Sequence, residues 1–455
     1  MSFVPRMPRL LLENGEWTSW ETGLAADVSN PIRARTSLEA LGKRFRKQLG
    51  LRSDPFLFRT GNGGTEIKTS GIAGTVGVGD LLFTIAPKFT PQGNGLPEWS
   101  ASVLLLMQYA RKRDLALVKV QHLGVQRSSF VDLLAMAFAD AVETALSDQM
   151  ILRYRTTEQS LPVIRGRLNL ARHLKVVFTT PHLLECDVDE LDTDNEFNGL
   201  LKWAATSFAS AVREPALRRK MSDMALRMPG RPNRRLALRG TRVQPPPQFR
   251  AWGEALDIAS LLSSGLSHST GAGITSGYSF VFNMERLFEH FVEITLARAV
   301  GQLGQDGIGT SRQATTAYAH PKAGTTMSFY SRPDNLVTKH GAPLIVVDAK
   351  YKRLSDAEGM KARKPLNADV YELVAAMTAH NCRHGLLVYP RVLGDTVLDD
   401  GRLHTWTVNA FGAILTISAL ALDLSGLRVH TDLQTIDYKL ADALASLLDA
   451  RDVAT

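Results

Sequence analysis

Three side chains in RPDNLVTKHGAPLIVVDAKYKR (residues 332–353) have types and spacing that could do chemistry: Asp334, Asp348 and Lys350. One residue separates Asp348 from Lys350. Alternate side chains of a strand share a face, so both are expected to project the same way. A turn at His340-Gly341-Ala342 would fold the two apolar runs into a hairpin and bring Asp334 beside Asp348. Two carboxylates at one sheet end repel unless something neutralises them. A hard cation such as Mg²⁺ does so, binding carboxylate oxygens while retaining waters. Lys350 beside it could orient the attacking water and stabilise charge on a scissile phosphate. The chemistry this set could perform is metal-assisted phosphodiester hydrolysis. Glu289, next to Phe288 at the edge of a preceding helical stripe, can reach the same sheet end as a further metal or water ligand. The bland alternative is a solvated surface Asp–Lys pair, which is common and worth little.

The elements that must position these residues follow from periodicity. VFNMERLFEHFVEITLARAV reads as a helix with Met284, Leu287, Phe288, Phe291 and Ile294 on one face. TTMSFYSRPDNLV and PLIVVDAKYK read as the paired strands, with Tyr351 and Lys352 as sheet-face residues. LNADVYELVAAMTAH reads as a helix, HGLLVYP as a strand, and the chain to about residue 424 as further strands. TDLQTIDYKLADALASLLDA closes as an amphipathic helix. Upstream, GIAGTVGVGDLLFTIAPKF alternates glycine with β-branched and aromatic residues, which predicts strands and turns. Val131, Leu134, Ala135, Phe138, Val142 and Leu146 predict a helix after Ser128-Ser129. A second helix follows DTDN, capped by Asp194 or Asn195. The expected division is a β-rich N-terminal domain over residues 1–125, a helical middle region over 126–270, and a mixed α/β domain over 271–455.

Composition narrows the classes. The chain has 455 residues, 44% apolar and 22% charged, which excludes a disordered or fibrous protein. Cys186 and Cys382 are the two cysteines, so neither a disulfide framework nor a Cys-based zinc site is expected, and a reducing cytosol is the expected compartment. The N-terminus makes a poor signal peptide, and the longest apolar stretch, Gly412 to Leu422, is too short to span a bilayer. The histidines show no paired metal-ligand spacing. No GxxxxGK[ST] string occurs, so the chain is not expected to hydrolyse nucleotide itself.

The net charge of +8 is concentrated. Residues 211–250 hold 11 Lys or Arg and two acids; the remaining residues hold 42 basic and 43 acidic side chains. One-sided sign suits a phosphate backbone, which makes Arg227, Arg231, Arg234, Arg235 and Arg239 candidate DNA contacts. The same arginines could grip an acidic partner surface or form a solvated face. Arg165 and Arg167 of VIRGRLNL are open between DNA contact and pairing with Asp192 or Asp194. The triple proline, Pro245 to Pro247, marks a stiff boundary.

Pro333-Asp334 and Asp348-Ala349-Lys350, after a helix bearing Glu289, resemble the PD-(D/E)xK nuclease core. With FNMERLFEHFV, VVDAKYK, DVYELVAAMTAH, LLVYP, the glycine-rich strand ending in Ile85-Ala86-Pro87-Lys88, VIRGRLNL and DTDNEFNGLLK, most of the chain resembles the McrC family. These are the nuclease subunits of McrBC 5-methylcytosine-dependent restriction systems. The resemblance implies a C-terminal restriction-endonuclease-like core that cuts double-stranded DNA with Mg²⁺ held by Asp334, Asp348 and Glu289. It also implies N-terminal and middle regions that dock on a hexameric McrB-like AAA+ GTPase and stimulate it, the partner recognising modified cytosine. One position departs from the family pattern: Tyr371 is followed by Glu372 where glutamine is usual. That leaves as alternatives an adaptor of a ring NTPase whose nuclease core is silent, and a stand-alone repair nuclease.

Overall fold

The computed structural model describes residues 9–13, 15–61, 63–78, 81–90, 98–110, 130–146, 149–212, 214–238, 243–268, 278–319, 328–352, 365, 367–392, 402–410, 412–427 and 430–452. It is mixed α/β and divides into two compact units, one of Met1–Leu115 with Ser267–Thr455, the other Ala116–Leu266. The first 115 residues therefore pack with the C-terminal half, where the sequence suggested a separate domain.

The chain starts with strands β1 (Arg9–Leu12) and β2 (Thr18–Ser19) and helix α1 (Pro31–Leu49). It continues through β3 (Phe56–Gly61), β4 (Gly64–Thr69), β5 (Ile72–Val78), β6 (Leu81–Ala86) and α2 (Glu98–Ala110). The reading of this region as β-rich overlooked α1. Its ends carry ordinary signals: Asn30 caps the NH of Arg33, Pro31 opens the first turn, and Gly50 closes it in the left-handed region. Leu38 and Phe45 of α1 bury against Phe56 and Phe83 in one core. About 1.5–3 kcal/mol per fully buried side chain is what keeps so polar a helix in place.

The second unit begins with α3 (Phe130–Leu146), β7 (Arg153–Leu161), β8 (Arg167–Leu168) and α4 (Leu170–Val176). β9 (Leu184–Asp192), α5 (Glu196–Ala211), α6 (Pro215–Arg227), α7 (Arg235–Leu238) and α8 (Gly253–Gly265) follow. The middle region, expected to be helical, also contains a sheet, in which β7-β9-β8 run antiparallel. β7 is largely solvent-exposed along its length, so no apolar alternation betrays it. Asn195 is the residue that caps α5, accepting from the NH groups of Phe197 and Asn198. Ser128 and Ser129 lie outside the described residues.

The first unit resumes with β10 (Leu266–His268), β11 (Tyr278–Asn283), α9 (Met284–Leu303), β12 (Ile308–Arg312), β13 (Thr316–Ala319) and β14 (Phe329–Ser331). Then come β15 (Asn335–Lys339), β16 (Ala342–Ala349), α10 (Asn367–Ala379), β17 (His384–Pro390), β18 (His404–Ala410), β19 (Ala413–Leu422) and α11 (His430–Asp452). β11 explains why the ends of the chain form one unit. It pairs antiparallel with β5 inside the sheet β1-β6-β5-β11-β10. Gly74 on β5, at φ +136, lies where a Cβ would sit 2.1 Å from the carbonyl oxygen of Phe280, so only glycine fits that pairing.

The sheet that carries the acids has the order β12-β15-β16-β17-β19-β18. β16, β17 and β19 run parallel and the other pairs antiparallel. α10 lies on one face, where Leu373 and Met377 pack with Leu336, Val346 and Leu387. Val346, Asp348 and Lys350 follow at two-residue spacing, which aims the latter two at the α10 side. Tyr351, the residue after Lys350, meets Phe288 of α9, ring centroids 5.7 Å apart.

Candidate active site

The hairpin β15–β16 does what the sequence suggested. Asn335 pairs with Val347, which sets Asp334, one residue before β15 and not in mid-strand, beside Asp348. Its Oδ2 accepts from the NH of Ala349 at 2.9 Å, and the two carboxyls are hydrogen-bonded to each other. Two carboxylates can share such a contact when a proton lies between them. Burial pushes the Asp348 carboxyl up to about 7, with Lys350 opposing and the charge of Asp334 adding. Burial raises Asp334 as well, against the stabilising NH of Ala349.

Lys350 stands at the centre. Its Nζ lies 2.7 Å from Asp348 Oδ2 and 2.7 Å from Glu372 Oε2 on α10, and its side chain is 7% exposed. Burial alone would favour the neutral amine. Asp348 and Glu372 outweigh it and hold the group firmly as ammonium. Lys350 in turn draws the Glu372 carboxyl below its usual range, although burial acts the other way. In the sequence Glu372 stood out only as a departure from the family pattern. Its place one turn into α10 makes it a partner of Lys350.

Glu289 lies on α9 within electrostatic range of Asp334, Asp348 and Lys350. Its carboxyl is raised, by burial first and then by Glu285. Its Oε1 lies 4.0 Å from Arg52, which also contacts Glu285 at 3.3 Å. Arg52 follows α1 and gave no signal in the sequence as part of this site.

Residues after Lys350 are pinned too, although Tyr351 and Lys352 read as plain sheet-face positions. Lys352 pairs with Asp369, fully buried in the first turn of α10, and Asp369 also accepts from the Tyr389 hydroxyl at 3.0 Å. The Tyr351 hydroxyl donates to Glu13 at 2.7 Å. The tripeptide that ends the motif is thus held from α10, β17 and the N-terminal sheet.

Asp334, Asp348, Lys350 and Glu289 are brought together in the first unit. The candidate DNA-contacting arginines belong to the second. Arg227 ends α6 and is exposed, as are Arg231 and Arg235; Arg234 is half-buried, its guanidinium 6.0 Å from the Trp203 ring. The backbone at 231–233 crosses α5 at Gly199, where a Cβ would lie 2.8 Å from the Arg231 carbonyl oxygen. Arg239 lies outside the described residues. Arg165 pairs with Glu190 at 3.3 Å, whereas Asp192 and Asp194 are taken by Arg155, which corrects the expected partners. Arg167 is exposed on β8, opposite Asp187 in the ladder.

A refined half-complex from a tetradecameric assembly of Thermococcus gammatolerans McrB AAA+ hexamers with bound McrC contains a chain 17% identical to this one. The match covers 97% of this chain and 100% of that one, with a TM-score of 0.66, and establishes a shared fold. A chain of the Thermococcus gammatolerans McrBC complex is 18% identical, covering 64% of this chain and 88% of its own, with a TM-score of 0.47. The comparison with curated proteins returned no match. The family model for McrBC 5-methylcytosine restriction system components matches residues 67–390. Spanning well over half of the sequence, that match shows that the chain belongs to the McrBC 5-methylcytosine restriction system components.

Proposed function

We propose that the chain is the McrC-type nuclease subunit of its restriction system and that the Asp334–Asp348–Lys350 end of the β15–β16 hairpin is a PD-(D/E)xK site that hydrolyses DNA. The observation that carries this is the meeting of Asp334, Asp348 and Lys350 at one sheet end. Among the described residues no three His, Cys, Asp or Glu side chains gather into a closed cage for a metal ion. Mg²⁺ does not need one, since it binds through one or two carboxylates with waters and substrate oxygens. The buried Asp348 and the half-buried Asp334, sharing a proton when no cation is near, fit that donor set. Asp334 and Asp348 would hold the ion, with Glu289 on its outer side. When bound, Mg²⁺ supplies charge stabilisation to the phosphoryl oxygens.

The side chains divide the rest. Asp348 gives up its proton as the site loads. Lys350 remains ammonium and turns from Glu372 to the phosphate or the attacking water. Glu372 lies 65% exposed at the outer side of Lys350, free to yield as substrate arrives. DNA would run past the arginines between Arg227 and Arg239, with Arg165 and Arg167 as lesser contacts. The partner we assign is an McrB-like AAA+ hexamer, the assembly in which the fold neighbour was solved.

One observation favours a second reading. Glu372 occupies Lys350 where the family pattern has glutamine, so the chain could be an activator of the ring whose core no longer cuts. Reconstitution with its ring partner on modified DNA separates the two: cleavage that Asp348→Ala abolishes supports the nuclease, and ring stimulation without cleavage supports the adaptor.

A further inference from the structure

β1 and β6 pair in parallel, with Leu12 opposite Ala86, so Glu13 and Lys88 emerge side by side from one sheet end. Both are buried, at 0% and 3% exposure. The Lys88 NH reaches Glu13 Oε2 at 3.3 Å, and the same oxygen accepts from the Tyr351 hydroxyl at 2.7 Å. Lys88 Nζ donates to the backbone carbonyl of Tyr351 at 3.0 Å and sits 3.9 Å from the centre of its ring. β16 ends at Ala349, so that carbonyl lies past the sheet ladder. The final hydrogen bond to the neighbouring strand comes from the Lys350 NH, which donates to Val388 at 2.8 Å.

Burying a carboxyl and an ammonium is a poor way to gain stability, because desolvation offsets most of what their contacts return. What it does well is fix one backbone arrangement. Here the backbone fixed is the residue after Lys350. We infer that Glu13 and Lys88 are positioning residues of the nuclease site: they clamp Tyr351 and thereby set where Lys350 meets Asp348 and Glu372. The inference rests on the nuclease reading above. It gives the Ile85-Ala86-Pro87-Lys88 segment a task in catalysis, in a region expected only to dock on the partner.

The test uses full-length chain reconstituted with the ring, and compares Lys88→Met with the double variant Lys88→Met/Glu13→Gln. Single-turnover cleavage at saturating DNA, DNA affinity, thermal midpoint and amide exchange over residues 350–352 are read together. Lys88→Met removes the donor to the Tyr351 carbonyl and the positive charge that favours an ionised Glu13, so the midpoint and the rate should both fall. The double variant removes the carboxyl as well. Its midpoint should return towards wild type while cleavage stays at least tenfold slower, DNA affinity holds within twofold, and exchange at 350–352 remains faster. A purely structural pair predicts that rate recovers along with stability, which overturns the inference. Lys88→Arg serves should the double variant not fold. Rate and amide protection must move together in it, and a fall in one without the other also overturns the inference. Asp348→Ala is the control: if it cuts like wild type the nuclease reading has failed, whereas if it is dead and the double variant is fast only the clamp has failed.

Discussion

Asp334 and Asp348 meet at the end of the β15–β16 hairpin with their carboxyls in hydrogen-bond contact, Asp334 held by the NH of Ala349. Burial and mutual repulsion leave Asp348 poised near neutrality at about 7. A proton and a divalent cation therefore compete for the same oxygens. The binding of Mn²⁺ or Mg²⁺, measured by calorimetry, should weaken about tenfold per unit as pH falls below about 7, and level off above it. Affinity independent of pH between 5.5 and 8 would contradict the shared proton.

The same raised groups carry a stability consequence. A carboxyl whose folded pKa lies above its unfolded value holds a proton that the unfolded chain releases, so the fold loses stability as pH rises between the two values. Asparagine at position 334 can still accept from Ala349 and removes the repulsion. Asp334→Asn should raise the melting midpoint at pH 8 by roughly 1–2 °C, the effect of about 1 kcal/mol in a unit of about 300 residues, and leave it unchanged near pH 4. A lower midpoint at pH 8 would show that the two acids do not repel.

Glu372→Gln keeps an oxygen within reach of Lys350 and removes the competing charge. Cleavage in the reconstituted complex should be retained or rise several-fold. A drop of more than tenfold would make Glu372 a required group and not a removable counterion.

Arg231, Arg234 and Arg235 changed together to glutamine should flatten the dependence of log affinity for DNA on log salt by about 2–3, near 0.9 for each phosphate that is no longer neutralised. The chemistry at Asp348 should be untouched once DNA is saturating. An unchanged slope would assign the run to a protein partner.

Much of the site was legible because strands make their chemistry local. The two-residue spacing of Asp348 and Lys350, and a turn at His340-Gly341, suffice to place two acids and a lysine together. Glu289 is a weaker inference, since a helix presents many edge glutamates and nothing in its own sequence says that Arg52 lies opposite. The contributions of Glu13 and Lys88 were not legible: they come from residues more than two hundred positions away, through the pairing of β5 with β11. The fold followed the same divide. α10 carries an apolar stripe and β17 a continuous apolar run, whereas β7 and β9 form a ribbon with polar residues on both faces and α1 is signalled only by its caps, which the β-rich reading passed over.

The central claim is that Asp348 is a catalytic group of a DNA nuclease. The most direct measurement is cleavage of cytosine-modified duplex DNA by the chain and its ring partner, wild type against Asp348→Ala, with NTP hydrolysis by the ring followed in the same tube. Cleavage is predicted to fall at least a thousandfold, about 4 kcal/mol of barrier, while NTP hydrolysis stays within twofold. Cleavage that survives the substitution, or a wild-type complex that stimulates hydrolysis without cutting, would contradict the claim.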